Sequence, residues 1–164
     1  MGKYFFFFIF LFTFSSANAQ VFYSAKEYND ALIQNQNKIS GYFTEMAATL
    51  ISDPGKSDSV RNVAIIETSA LIDFTRRMPI FNGNSSFKDA GMNIFQYYLS
   101  AFQVEYKEII EIFIASNGRP NEDQMNRLEF LDRQLLIKEQ PLDDMFIREQ
   151  MKFAFENDLE LIRP

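Results

Sequence analysis

The chain has 164 residues, 47% of them hydrophobic, with 16 bases against 22 acids, a net charge of −6, and neither histidine nor cysteine. Without His and Cys it lacks the usual nucleophile–base pairs and the commonest transition-metal ligands. Its acidity disfavours nucleic acid and anionic membrane surfaces, which repel it.

Residues 1–19 read as a cleaved signal peptide. Lys3 provides a positive start, Tyr4–Phe14 an apolar run, and Ser15-Ser16-Ala17-Asn18-Ala19 a small-residue cleavage site before Gln20. The apolar run is too short for a permanent span, so the expected product is an exported chain, periplasmic or secreted, with no integral membrane segment. Loss of Lys3 leaves 15 bases and a net charge of −7 on residues 20–164, a length suited to one domain. Stability must come from packing, since no disulfide can form.

Ser24 and Glu27 have capping-box spacing. They open a first helix, Ala25 to about Ser52, with Tyr28, Leu32, Asn35, Ile39, Phe43, Met46 and Leu50 along one side. Asp53-Pro54-Gly55 reads as a turn. A second helix is expected from about Asp58 to Met78, capped by one of Ser57–Ser59. Its inner row would be Val60, Val63, Ile66 or Glu67, Ala70, Leu71, Phe74 and Met78. Pro79 stops it, and Ile80 and Phe81 in the following loop are placed to cover an open bundle end.

Ser86 and Asp89 repeat the cap spacing ahead of a third helix that runs to about Asn117. It carries Ile94–Ile114, the most apolar stretch downstream of the signal segment. Phe95, Leu99, Phe102, Tyr106, Ile109 and Phe113 share one face, and Ile94, Tyr98, Ala101 and Ile112 widen it. Asn117-Gly118 and Pro120 end it. Asn121 caps a fourth helix whose inner row is Met125, Leu128, Leu131, Leu135, Leu142, Met145 or Phe146, and Phe153. Pro141 kinks or breaks that helix. Leu159, Leu161 and Ile162 would pin the tail.

Four helices with short connections predict an all-α, up-down-up-down four-helix bundle. Glu105, Glu108 and Glu111 form a carboxylate row that a solvated helix face explains as well as a hard cation does. Glu67, Asp73 and Glu105 are candidates for raised carboxyl pKa values, though pairing with Arg76, Arg77 or Lys107 explains them too. No cofactor is implied. Phe81, Phe87, Phe95, Tyr98 and Phe102 are candidates to line a site for an apolar small molecule or lipid between helices. Tyr97, Val104 and Ile114 exceed what one bundle seam needs, and are candidates for a protein or homodimer interface. The residue types point to a non-catalytic binding or interaction module, monomeric or dimeric. A carrier or sensor of an apolar ligand is the first alternative, and an enzyme using carboxylates and tyrosines the second.

The Ala-Asn-Ala-Gln junction, Glu27-Tyr28-Asn29, Gln36-Asn37 and the segment Gln150–Leu161 together resemble uncharacterised exported bacterial helical-bundle proteins. The resemblance covers residues 20–164. It implies an exported helical bundle and carries no activity and no site residues.

Overall fold

The structure, a computed structural model, describes Phe22 and residues 24–161. The expected signal segment and Ile162 lie outside the described residues. Helix α1 (Ala25–Thr49) starts where its cap predicts, with Ser24 Oγ accepting the Glu27 N–H at 3.2 Å. Helix α2 (Pro54–Arg77) begins earlier than expected. Asp53 is its N-cap and accepts the Lys56 N–H at 3.0 Å, leaving Pro54 in the first turn. A proline there gives up an N–H that has no in-helix acceptor, so the turn signal was also a helix start. At the far end Lys88 donates to the carbonyls of Arg76 (2.9 Å) and Met78 (2.5 Å), which suits the negative end of the α2 dipole.

The third segment is divided. Helix α3 (Ser86–Gln103) and helix α4 (Glu105–Ala115) are separated by Val104, at φ −116° and ψ −75°. The start of α3 also departs from expectation. Its cap is Ser85, whose Oγ bonds Asp89, while Asn84 Oδ1 takes the Ser86 N–H at 2.9 Å. Ending α3 at Gln103 leaves carbonyls of its last turn without in-helix donors. The buried Arg61 guanidinium supplies one, donating to the Phe102 carbonyl at 3.2 Å. The same side chain is held by Asp58, at 2.9 Å from Nε.

Helix α5 (Glu122–Glu156) starts at the expected cap Asn121, which forms a capping box with Gln124, the two exchanging bonds of 2.9 Å. It runs through Pro141 as one helix. Among the described residues there is no strand, only an isolated bridge between Phe81 and Asn84 across the turn at Asn82-Gly83. No described helix is long and apolar enough to cross a membrane.

These helices form an all-α bundle around one hydrophobic core. The start of α1 meets the ends of α2 and α5: Tyr28 donates to the Pro79 carbonyl at 3.1 Å and stacks on Phe153 at 5.4 Å. Phe81 closes that end, 5.3 Å from the Tyr28 ring and 5.5 Å from Phe153, whereas Ile80 is 57% exposed. At the other end Gly118 (φ +74°) lies so close to the Ile51 carbonyl that a Cβ would sit 2.8 Å from it. The residue following α4 is therefore packed against the α1–α2 turn.

The α1 and α3 rows lie in the core in the expected phase: Tyr28, Leu32, Asn35, Ile39 and Met46 are buried, as are Phe95 and Phe102. The α2 row is rotated. Its buried face is Ser57, Val60, Arg61, Ala64, Thr68, Ile72 and Thr75, while Val63 and Ile66 are exposed. Ser57 and Thr75 can occupy this face because α1 and α2 itself satisfy them, whereas Thr68 Oγ1 has no partner among the described residues. Ser57 donates to the Met46 carbonyl at 2.7 Å, Thr75 to Leu71 at 2.8 Å, and Asn35 donates to Thr75 at 3.3 Å. On α5, Met125 is exposed rather than inward, while Leu131, Leu135, Phe146 and Phe153 are buried.

Candidate functional site

Between α1 and α5, with α3 and α4 as its floor, lies a cleft of about 260 Å³. Helix α1 contributes Ser40 and Phe43, α3 contributes Tyr97 and Ala101, α4 contributes Tyr106, and α5 contributes Leu135 and Glu139. The break at Val104 sits beside this floor, so the cleft is lined from both pieces of the divided segment. Further along the same seam α1 and α5 are tied by polar side chains. Gln36 donates to Asp143 at 3.3 Å and Gln150 to Asn29 at 3.0 Å.

Aromatic rings build one wall. Phe43 stacks on Phe102 with centroids 4.4 Å apart and meets Tyr106 at 5.0 Å and Tyr98 at 5.2 Å. Tyr97 lies 5.7 Å from Tyr98 and donates its hydroxyl to the Leu135 carbonyl at 2.8 Å. Glu139 supplies the carboxylate. Loss of water around it raises its pKa above the usual value, the Tyr98 hydroxyl pulls it partly back, and the neighbouring Asp143 pushes it up again. Burial, helped by Glu139 and Asp132, drives the Tyr106 phenol up to about 12. Tyr97 and Tyr98 are driven higher still, first by burial and then by Glu139. The raised values keep these phenols protonated at neutral pH, so their hydroxyls are available as hydrogen-bond donors.

The five apolar-site candidates are distributed through the core. Phe87 packs on Phe146 at 5.2 Å and Phe153 at 5.4 Å, Phe95 packs 6.2 Å from Phe146, and Phe81 caps the bundle end. Their rings fill one another's space. Tyr98 and Phe102 instead stand behind the cleft wall. Of the interface candidates, Tyr97 turns inward to the cleft, while Val104 and Ile114 are 58% and 47% exposed. The larger apolar surface is on α5, where Phe130, Leu136, Ile137, Ile147, Met151 and Phe155 face solvent.

The carboxylate candidates are each matched to a cation. Glu67 takes Lys38 at 2.6 Å, Asp73 takes Arg76, buried Glu105 takes Lys138 at 2.7 Å, and Glu108 takes both arms of Arg127 at 2.6 and 2.8 Å. Glu111 lies 3.7 Å from Lys107. No group of three or more metal-ligating side chains comes together among the described residues. The carboxyl that burial does perturb is Glu139, which sequence reasoning passed over. Its signal was present: Leu135, Glu139, Leu142 and Phe146 follow helical spacing, placing an acid in an otherwise apolar row.

No protein-family model, no curated protein and no solved structure matches this chain. The class of protein is therefore defined by its fold, an all-α bundle, and its site by geometry.

Proposed function

We propose that the protein is an exported, non-catalytic binding module that takes a small molecule into the α1–α5 cleft. The observation that carries this is the cleft itself. About 260 Å³ lies open in a wall of Phe43, Tyr97 and Tyr106, beside a carboxylate held in reduced solvent. A cavity of about 150 Å³ accommodates benzene, and drug-sized ligands occupy about 300–1,000 Å³. The occupant is accordingly a compact molecule with one ring or a short branched chain. A binding role is favoured over a chemical one because the chain has no His or Cys. Export rests on residues 1–19 as read above.

Native mass spectrometry of residues 20–164, purified gently from the exporting cells, tests the proposal alongside Ser40→Leu. Ser40 is an exposed residue of α1 at the cleft, and leucine there narrows it without loss of helix propensity. Extra mass that leaves on denaturation, and that Ser40→Leu abolishes, supports the cleft. Bare protein in both samples overturns it.

A second reading, self-association, rests on the solvent face of α5. Phe130, Ile137 and Met151 are exposed at multiples of seven residues, with Asp144 at the third place of the series, which is the spacing of a helix–helix seam. Opposite charges flank the face: Arg133 with Glu129 at 2.7 Å, and Lys152 with Glu156 at 3.8 Å. A doubled native mass that Ile137→Glu returns to a monomer is the result expected of this reading. A monomer at high concentration removes it.

A further inference from the structure

Glu139 is the acid in the cleft lining, and three further acids act on its tyrosines or on Glu139. Asp132 acts on Tyr106, Glu105 on Tyr97, and Asp143 on Tyr98 and on Glu139 itself. Lys138, next to Glu139 in the chain, is engaged by Glu105 at 2.7 Å. Glu139, half-buried and with no cation paired to it among the described residues, is held at a cost that the Tyr98 hydroxyl offsets in part, and that protonation or an incoming positive charge reduces further. The remaining lining is Phe43, Tyr97 and Tyr106, rings that attract a cation over their faces. An anion would meet Glu139, with Asp132 and Asp143 acting on the same tyrosines and no cation in the lining; a purely apolar molecule would leave Glu139 more desolvated than before. Both are disfavoured on the same electrostatic grounds.

We infer that the cleft ligand is a small organic ammonium ion, its charged head beside Glu139 and its carbon portion against Phe43, Tyr97 and Tyr106. This rests on the cleft being the binding site, as proposed above. The ring wall selects for carbon attached to the charge, since a bare, strongly hydrated metal ion gains little from aromatic faces. Ser40, at the mouth, is an added oxygen within the lining.

The test titrates 2-phenylethylammonium and its neutral counterpart 2-phenylethanol into residues 20–164, following backbone amide signals of Ser40, Ala101 and Glu139. The pair shares size and ring and differs in charge. The ammonium ion is expected to bind at least about tenfold tighter than the alcohol. Glu139→Gln keeps the shape of the side chain, and is expected to erase that preference by weakening the ammonium ion while the alcohol binds as well as before or better, its desolvation of the carboxylate being relieved. A purely structural role for Glu139 would weaken both ligands equally. Should the variant fail to fold, the wild-type ratio alone decides. Equal affinities overturn the cation assignment and leave the cleft reading standing. Binding of neither probe overturns the ammonium proposal, while the native mass and Ser40→Leu judge the cleft separately.

Discussion

Thr68 is wholly buried on α2, and its Oγ1 is the buried side-chain oxygen without a hydrogen-bond partner among the described residues. Ser57 and Thr75 on the same face both donate to carbonyls, so Thr68 retains a desolvation penalty that they escape. Thr68→Val keeps the β-branched shape and removes the hydroxyl. It is expected to stabilise the fold by about 1 kcal/mol, read as a higher urea midpoint with unchanged slope. Glu139 has a different signature, dependence on pH. Its folded-state pKa lies above the ordinary 4.5, so folding favours the protonated form. Stability is whole below pH 4.5 and declines as pH rises through the elevated value. Glu139→Gln is expected to exceed the wild type at pH 7 by less than about 1 kcal/mol, because the carboxyl is half in solvent and screened. The gain should vanish at pH 4, where equal stabilities are the check.

The helices differ in how far their sequences announce them. The α1 row Tyr28, Leu32, Ile39, Met46 is legible because large apolar residues recur at helical spacing and all go inward. The α2 row is not, because its inner face is built from Ser57, Ala64, Thr68 and Thr75 and from Arg61. Hydropathy assigns Ser57, Thr75 and Arg61 outward, and hydrogen bonds to α1, to α3 and within α2 make their burial acceptable, while Thr68 is buried without one. The division at Val104 has no glycine or proline to mark it. It persists because Arg61, from another helix, occupies a freed carbonyl and Lys138 neutralises buried Glu105. In α5 the reverse holds: proline is visible, yet the helix continues through it. Pro141 still removes an N–H and crowds the carbonyl of Ile137. Pro141→Ala at this exposed position is expected to stabilise the protein by about 1–3 kcal/mol, measured by thermal unfolding. A loss instead would mean that α5 needs the proline's bend to reach both ends of the bundle.

At the level of the whole molecule, stability rests on a core rich in aromatic rings and free of disulfides. Four tyrosines within it share one titration behaviour. Burial first, then the charge of Asp89, lifts Tyr28 to about 12. Tyr106 is lifted to the same value, and Tyr97 and Tyr98 further. Because the unfolded phenols ionise near 10.0, the stability they contribute is complete below pH 10 and is lost as pH rises through about 12. Alkaline titration is expected to show tyrosinate absorbance rising together with loss of helical circular dichroism. Ionisation of these four well before the helices melt would contradict their burial.

By itself the amino-acid sequence determined the helices, their short connections, the bundle class, and the inward faces of α1 and α3. Periodicity and caps are local, and large apolar side chains have one favourable place to go. It also held the reading of residues 1–19 as an export signal, on which the described residues are silent. Tertiary structure alone decided the rotation of α2, the break at Val104 and the meeting of Phe43, Tyr97, Tyr106 and Glu139 at one cleft. Each depends on a partner distant along the chain: Phe102 for Arg61, Lys138 for Glu105, Tyr98 for Glu139. A buried polar group is stable only where another element supplies its hydrogen bonds or leaves it beside a cleft, and that pairing is not written in local spacing.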